Sequence, residues 1–313
     1  GSNTAIGYSA LFANTTAGGN TACGHTALNA NTTGYSNQAF GFLALRDNTT
    51  GHSNIAVGES ALLVNTTGNS NVAIGNNVLD ANTSACCNSA LGYQAMTNNT
   101  TGINNVAIGF QAGHAHTTGN SHTMVGFGAG QATTTDIGIT AVGREALYAN
   151  TTGSGGSYNV AIGYRAMYTN TTGYYNTAVG FQSLYSNNGL FNTALGFKAL
   201  KANTSGQNSV AIGYQALQAN TTASSNVAVG LSALQANTTG TSNVSVGTST
   251  LVNCTTGDSN TACGHQSLNA MTTGEGNTGI GMNSSLSVTT GIRNTGVGLE
   301  SNRSKTTGSN SVA

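Results

Sequence analysis

Apolar and polar residues follow one another along the chain in a pattern that repeats every 17 residues. One copy, residues 226–242, reads Asn-Val-Ala-Val-Gly-Leu-Ser-Ala-Leu-Gln-Ala-Asn-Thr-Thr-Gly-Thr-Ser, and we number its positions one to seventeen. Position four is apolar in every copy, and position nine is Leu or Met in most. β-Branched residues bounded by Gly and Asn are typical of short strands and turns, and frequent Gly would cost a helix roughly 1 kcal/mol each. The pattern therefore predicts an all-β protein.

The repeat keeps its register from one end of the chain to the other. The Gly at position five occurs in eighteen copies, and only two steps between copies differ from 17 residues. Both irregular steps fall in the Thr-Thr-Gly stretch, which predicts a turn there. A fixed period is typical of solenoids, so we expect one domain over residues 1–313, a parallel β-solenoid of about eighteen 17-residue coils.

Stacked coils place equivalent side chains in columns, about 4.8 Å apart along the axis. Eighteen coils would then span roughly 85 Å. We expect ladders of apolar residues at positions four and nine and of Asn at position twelve. Representative ladder residues are Ile6, Ile74, Ile108, Ile162 and Ile212 at position four, Leu11, Leu79 and Leu217 at position nine, and Asn14 at position twelve.

Each coil offers four dependable apolar positions, namely three, four, eight and nine, and two of these are usually Ala. Such a core is thin against an ordering cost of about 1–2 kcal/mol per residue. Position six is often aromatic. If these rings and one apolar row pack against neighbouring chains, their burial offsets the ordering cost that the thin core does not cover. We therefore expect an oligomer. The aromatic residues at position six are Tyr8, Phe42, Tyr93, Phe110, Phe127, Tyr164, Phe181, Phe197 and Tyr214.

The stretch Asn208-Ser209-Val210-Ala211-Ile212-Gly213 resembles the signature hexad of YadA-like heads in trimeric autotransporter adhesins. Variants of this hexad recur along the chain, and the repeat is also similar to shaft segments of trimeric phage tail fibres. The resemblance implies a left-handed parallel β-roll of three chains on a cell surface, in an extracellular filament or on a virion. The period is longer than in those heads, and the short motif carries over no ligand-contact residue.

We therefore expect a structural segment of an extracellular fibre or adhesin, and not an enzyme. The expected partners are further copies of the chain, as a homotrimer or a head-to-tail filament, and a host surface receptor or glycan. Only 5% of residues are charged and the net charge is zero, so no basic patch points to nucleic acid. No apolar run reaches the length of a membrane span, so we expect no membrane insertion in this segment.

Three histidines, His114, His116 and His122, lie close together in the sequence. In the same two copies Gly113 and Gly130 replace the Leu of position nine. In a trimer, a His-x-His strand near the axis would gather six imidazoles, a ligand set suited to a transition metal. The alternative is that His replaces Asn or Ser in a polar row.

Two further activities are open alternatives to a fibre. Columns of Thr at positions thirteen and fourteen would suit an ice-binding β-solenoid, although adjacent Thr residues read better as a turn ladder with one Thr inward. Asp258 and Glu275 share position sixteen on adjacent coils, a spacing of roughly 5 Å that suits a retaining glycosidase in a carbohydrate-degrading tailspike. The alternative for this pair is a solvated turn.

Cysteines and Asn-x-Thr sites add little to this picture. Cys23 and Cys263 replace Ile or Val at position four and are expected to act as small hydrophobic residues, while Cys86 and Cys87 are adjacent at a turn where an inter-chain disulfide is open. Asn-x-Thr sequons recur at position twelve, and we favour a role in turns and ladders over glycosylation. These sequons include Asn14, Asn31, Asn48 and Asn65.

Overall fold

A computed structural model describes residues 1–151, 158–303 and 306–313. Over these residues the chain consists of three-residue strands joined by turns, without a helix, and the fold is a parallel β-solenoid as predicted. Each strand covers positions two to four of its coil. The strands are β1 (Thr4–Ile6), β2 (Thr21–Cys23), β3 (Gln38–Phe40), β4 (Ile55–Val57), β5 (Val72–Ile74), β6 (Ser89–Leu91), β7 (Val106–Ile108), β8 (Thr123–Val125), β9 (Thr140–Val142), β10 (Val160–Ile162), β11 (Thr177–Val179), β12 (Thr193–Leu195), β13 (Val210–Ile212), β14 (Val227–Val229), β15 (Val244–Val246), β16 (Thr261–Cys263), β17 (Thr278–Ile280) and β18 (Thr295–Val297).

The chain forms two compact units, residues 1–159 (unit 1, with β1–β9) and residues 160–313 (unit 2, with β10–β18). Within each unit consecutive strands pair in parallel and equivalent residues face each other. Ala56 pairs with Ala73 in unit 1, and Ala211 pairs with Ala228 in unit 2. Equivalent side chains therefore lie in columns, as predicted. A single domain over residues 1–313, the left hand and the homotrimer stay predictions.

The turns of each coil depend on residues in the left-handed region. Gly213 at position five has φ of 132°, and a Cβ there would lie 2.4 Å from the carbonyl oxygen of Gly230 in the next coil, so only Gly fits. Ser232 and Leu234, at positions seven and nine, have φ of 53° each, and Ser242 at position seventeen has φ of 58°. These bends turn both Ala at position eight and Leu at position nine towards the interior.

The interior of a coil is narrow and partly polar. In the coil 226–242, Ala228, Ala233 and Leu234 are fully buried together with Asn226 and Asn237. The predicted ladder residues Leu79 and Leu217 are also fully buried. Leu11 and Asn14, in the first coil, are half-buried.

Position four lies on the outer face of each strand, where it was expected to contribute to the core. Because side chains alternate along a strand, position three points inward while positions two and four point outward. Ile6 is 61% exposed, and Ile74, Ile108 and Ile162 lie between 36% and 41%. Ile212 is half-buried. The prediction that position four belongs to the core is therefore wrong, although its ladder register is correct.

Candidate functional site

Two columns of asparagine, at positions one and twelve, line the interior and supply the partners that buried backbone groups need. At position one, Asn226 Oδ1 accepts the N–H of Asn243 at 2.9 Å, and Asn226 Nδ2 donates to the carbonyl of Gly240 at 2.8 Å. At position twelve, Asn220 Nδ2 donates to Asn203 Oδ1 at 2.8 Å, and Asn220 Oδ1 accepts from Asn237 Nδ2 at 3.0 Å. Buried polar groups satisfied in this way cost little and hold the coils in register.

The Asn-x-Thr sequons lie in the position-twelve column. Asn31, Asn48 and Asn65 are fully buried, and Asn48 Nδ2 donates to Asn31 Oδ1 at 2.7 Å. A glycan on Nδ2 would have to leave the interior, so these folded coils cannot accept one. Their hydrogen bonds connect adjacent coils, as expected if the sequon asparagines serve in ladders.

The Thr columns at positions thirteen and fourteen lie on the outside. Thr221 at position thirteen is half-buried, and its hydroxyl donates to the carbonyl of Thr238 in the next coil at 3.0 Å. Thr222 at position fourteen of that coil and Thr239 at position fourteen of the next are both exposed. Neither position points inward, so the prediction of one inward Thr is wrong. The position-thirteen hydroxyls are engaged along the stack, which leaves only one of the two rows for an external ligand.

The asparagine columns are interrupted in the two coils 105–121 and 122–138, which we call the histidine segment. At inward positions where Asn or Gly is usual, this part of unit 1 carries larger, ionisable or branched side chains, all of them buried. The substituted residues are His116 and Thr133 at position twelve, His122 at position one and Asp136 at position fifteen, and Ile139 at position one of the next coil continues the change.

Each histidine copies one hydrogen bond of the Asn that it replaces. His116 Nε2 lies 2.9 Å from the carbonyl of Gly119 and must donate to it, which leaves Nδ1 without a proton and without a partner. His122 Nδ1 accepts the N–H of Ile139 at 3.1 Å, so the proton of the neutral ring is on Nε2, which lies on the side of the Asp136 backbone. The two rings meet edge to face with centroids 4.8 Å apart. Both histidines are therefore held as neutral imidazoles.

Burial shifts the three inward ionisable groups of the segment towards the neutral form. It lowers the pKa of His116 from 6.5 to about 4, partly offset by the hydrogen bond to Gly119. It lowers the pKa of His122 to about 3, with a further contribution from neighbouring His116. Burial also raises the pKa of Asp136 from 3.8 to about 6, while Asp136 Oδ2 accepts from Asn150 Nδ2 at 3.0 Å.

The structure does not bring His114, His116 and His122 together as ligands. His114, at position ten, is half-buried in an outer column, where its charge acts on Asp80 two coils earlier. His116 and His122 point into the interior of their own chain, and only His116 Nδ1 offers a lone pair. Among the described residues no group of three or more His, Cys, Asp or Glu side chains could hold a metal ion. This arrangement contradicts the geometry on which the metal prediction rested.

A compensating change fills the core of the histidine segment, and the sequence analysis missed it. Met124 replaces the Ala of position three and occupies the space that Gly113 and Gly130 leave at position nine. A Cβ on Gly113 would lie 2.5 Å from Met124 Cε, and one on Gly130 would lie 2.7 Å from Met124 Sδ. One large residue thus substitutes for two leucines, which preserves close packing. The signal was present as a Met in an Ala row between two Gly in a Leu row.

The outer face of the strands carries one apolar column, at position four, and one uncharged column, at position two, in both units. Position four carries an apolar side chain in every strand, and neither position two nor position four is charged in any of them. Beside this face the rings of position six stack from coil to coil, with Tyr93, Phe110 and Phe127 in unit 1 at centroid distances of 5.4 and 5.2 Å. We call positions two, four and six together the apolar face.

The longest ring stack of the apolar face lies in unit 2. Tyr164, Phe181, Phe197 and Tyr214 follow one another with centroids 5.0 to 5.2 Å apart. Phe181 and Tyr214 are 40% and 48% exposed. Because each ring covers the face of its neighbour, these side chains present edges to the outside, an arrangement suited to packing against another apolar surface.

Asp258 and Glu275 lie on adjacent turns of unit 2, as their shared position predicts. They line a shallow cavity of about 170 Å³ together with Ile292 and Arg293. Asp258 Oδ1 is already engaged, because it accepts from the N–H and the hydroxyl of Thr241 at 2.5 and 2.9 Å. The cavity has no aromatic side chain for a sugar ring to stack on. The arrangement has the character of a solvated turn.

All five cysteines are free thiols. Cys23 and Cys263 lie on the outer face, half-buried and exposed respectively, and their role as small hydrophobic residues stays a prediction. Cys86 is half-buried beside the exposed Cys87. Cys254 is the buried one: it replaces Asn at position twelve, and burial raises the pKa of its thiol to about 11.

Comparison with known proteins adds no family: no family model matches the chain, and no curated protein matches it. In the part of the chain that the structure describes, none of the secondary-structure elements is a helix of the length and apolarity needed to span a bilayer.

Proposed function

We propose that the chain is a structural segment of an extracellular fibre or adhesin and works as a homotrimer. The observation that carries the proposal is the apolar face. Exposed Ile, Val and aromatic side chains follow one another there, and among the described residues its charged members are Glu59 and Arg144, both at position six. Contiguous apolar patches are typical of protein–protein interfaces. Packing that face against other copies would add apolar burial that the narrow interior of Ala, Leu and Asn does not supply.

The repeat favours a second copy of the same chain over a foreign partner. Rows at positions four and six recur at the spacing of the coils, so another copy offers rows with the same spacing. The face has no charges at positions two and four with which to select a partner by electrostatic complementarity. Three such faces around a common axis would cover one another, which is the arrangement that the YadA-like resemblance implies.

The adhesive part of the proposal rests on repetition. A stack presents the same outer turns many times, so weak contacts with a host receptor or glycan would add through avidity. Head-to-tail association would extend the same surface. Under this proposal the chain works outside the cell, on a cell surface, in a filament or on a virion, and its role is mechanical.

The oligomeric state of the whole chain tests the proposal. We expect sedimentation velocity and mass photometry to give three copies per particle at micromolar concentration. Charges introduced by Ile212→Glu and Val229→Glu on the apolar face should weaken the trimer at least 100-fold, since they would be buried without a partner. Thr239→Glu on the exposed turn of the same unit is the matched control and should leave the trimer intact.

Other outcomes would contradict the fibre. A stable wild-type monomer would remove the trimer, and thermal hysteresis from that monomer would support ice binding instead. Polysaccharide cleavage by the wild type that Glu275→Gln abolishes would favour the tailspike.

A further inference from the structure

The interior of unit 1 is uncharged along its inward columns except in one place. Within the described residues of this unit, positions one, three, eight, nine, twelve and fifteen carry ionisable side chains only at His116, His122 and Asp136. All three are buried and all belong to the histidine segment. Elsewhere in these columns Asn, Ala, Leu, Gly and other uncharged residues make contacts that do not depend on pH.

Both histidines can replace Asn only while they are neutral. His122 Nδ1 accepts the N–H of Ile139, and a proton on that nitrogen would set two donors against each other. His116 Nδ1 has no partner, and a proton there would create a buried charge with an unsatisfied donor. Thr133 Oγ1 is also buried without a partner, so no donor from that side chain stabilises the neutral rings.

We propose that the histidine segment is an acid-sensitive device: protonation of His116 or His122 breaks the inward hydrogen bonds of residues 105–138 and opens these coils, while the coils with intact asparagine columns stay closed. The proposal concerns unit 1 alone and stands independently of the trimer. Its physical basis is the state of the two Nδ1 atoms. That of His122 accepts a hydrogen bond and cannot also carry a proton, and that of His116 has no acceptor nearby for a proton.

The other charged groups near the segment modify this behaviour without reversing it. His114 and the Arg144–Glu145 pair, whose Nε and Oε1 lie 3.5 Å apart, belong to positions ten, six and seven outside the inward columns. Only Asp136 shares those columns. Its carboxyl takes up a proton as the pH falls below about 6, which relieves the cost of its burial and opposes the two histidines.

The direction of the effect follows from the balance of these groups. A histidine whose folded pKa lies below 6.5 contributes stability above pH 6.5, and this contribution is lost as the pH falls. Two histidines act in that direction and one carboxyl acts against them. Between pH 6 and pH 4 the net result is therefore opening.

Amide hydrogen exchange of the full-length chain, corrected for the intrinsic exchange rate at each pH, tests the proposal. From pH 7 to pH 5 we expect the opening equilibrium of peptides within 105–138 to rise at least tenfold, and that of peptides within 209–242 of unit 2 to change less than twofold. The matched variant is the double substitution His116→Asn and His122→Asn, which restores the consensus columns and should abolish the pH response. Equal protection of residues 105–138 at both pH values in the wild type would overturn the proposal.

A second measurement keeps the test independent of how well the double variant folds. Selectively ¹³C-labelled histidine in the wild type should show the opening of the segment and imidazole protonation together along one pH titration. Protonation without loss of protection would overturn the coupling. Addition of zinc ions at pH 7 should leave the amide exchange unchanged. Zinc-dependent protection that is lost in the double variant would overturn the proposal and indicate a metal site instead.

Discussion

Within the described residues, each unit interrupts its position-twelve asparagine column over successive coils, and the two units do so in different ways. In unit 1 the histidine segment replaces Asn by ionisable or hydroxyl side chains. In unit 2 the position-twelve column becomes apolar at Cys254, Met271 and Val288, all fully buried, which we call the apolar column. The two regions occupy equivalent places in their coils, so they show what the interior tolerates.

The difference lies in the polar atoms that remain. Beside the apolar column Asn277 Nδ2 donates to Asn260 Oδ1 at 3.1 Å. Asn237 Oδ1 at the start of the column lacks a partner, as does Ser285 Oγ at position nine of the coil of Val288. In the histidine segment His116 Nδ1 and Thr133 Oγ1 lack partners, as does Asn99 Oδ1 in the coil before it. Removing both partners of a buried hydrogen bond is nearly neutral, whereas removing one is costly. An apolar replacement therefore preserves the column, and an ionisable one leaves it dependent on pH.

The largest effect is expected from placing a charge in the apolar column. Met271→Asp would bury a carboxylate without a partner, so we expect the free energy of unfolding of unit 2 to fall by about 4 kcal/mol at pH 7. Urea denaturation followed by alkylation of the buried Cys254 thiol reports on this region. Thr273→Asp is the matched control, because Thr273 is exposed on the outer turn of the same coil, and it should change stability by less than about 0.5 kcal/mol. Equal stability of the two variants would contradict the inward orientation of position twelve.

A smaller loss is expected where one side chain fills the histidine segment. Met124→Ala would leave a cavity beside Gly113 and Gly130, and we expect unit 1 to lose about 3 kcal/mol in urea denaturation. Adding Gly113→Leu to this variant should recover part of the loss, since Leu at position nine and Ala at position three are the usual pair. Gly113→Leu alone should destabilise, because Met124 occupies the space. Additive effects of the two substitutions would show that Met124 does not compensate for the glycines.

The smallest of the three effects depends on pH. Asp136→Asn removes a carboxyl whose raised pKa makes it destabilising above pH 3.8 and increasingly so up to about pH 6. We expect the variant to be more stable than the wild type by about 2 kcal/mol at pH 7.5, and the difference to vanish below pH 4. Thermal unfolding of both proteins across this range measures it. A constant difference at all pH values would mean that the carboxyl is not buried as a charge.

The sequence predicted the strands and the register of the columns, because these depend on periodicity alone. The turn insertion near residue 154 lies outside the described residues, so its tolerance of length changes stays a prediction. The sequence did not predict the direction of position four. Ala at position three and Ile or Val at position four are both apolar, so alternation carried no signal. The size of the interior determines the direction: it is wide enough for the small side chain of Ala228, and the larger Val229 lies on the outer face.

The inward asparagines were predicted as ladders but not as part of the interior, since polarity alone suggests a surface row. Their burial is favourable only because each amide meets the amide or carbonyl of an adjacent coil, which is a property of the stack. One signal was nevertheless present. Cys254, Met271 and Val288 occupy position twelve in successive copies, and a column that accepts such residues lies inside. With that reading, His116 would have been placed in the interior as well.

The side-chain amides of the position-twelve column all point the same way. Asn48 donates to Asn31 and Asn65 donates to Asn48, so each coil offers donors to the coil before it and acceptors to the coil after it. A coil laid on in the reverse sense would set oxygen against oxygen. Within a unit the stack therefore has a direction, and its opposite end surfaces are chemically distinct. A coil that adds to an exposed end must therefore take the orientation of the coil that it joins, so the stack can grow in one orientation only.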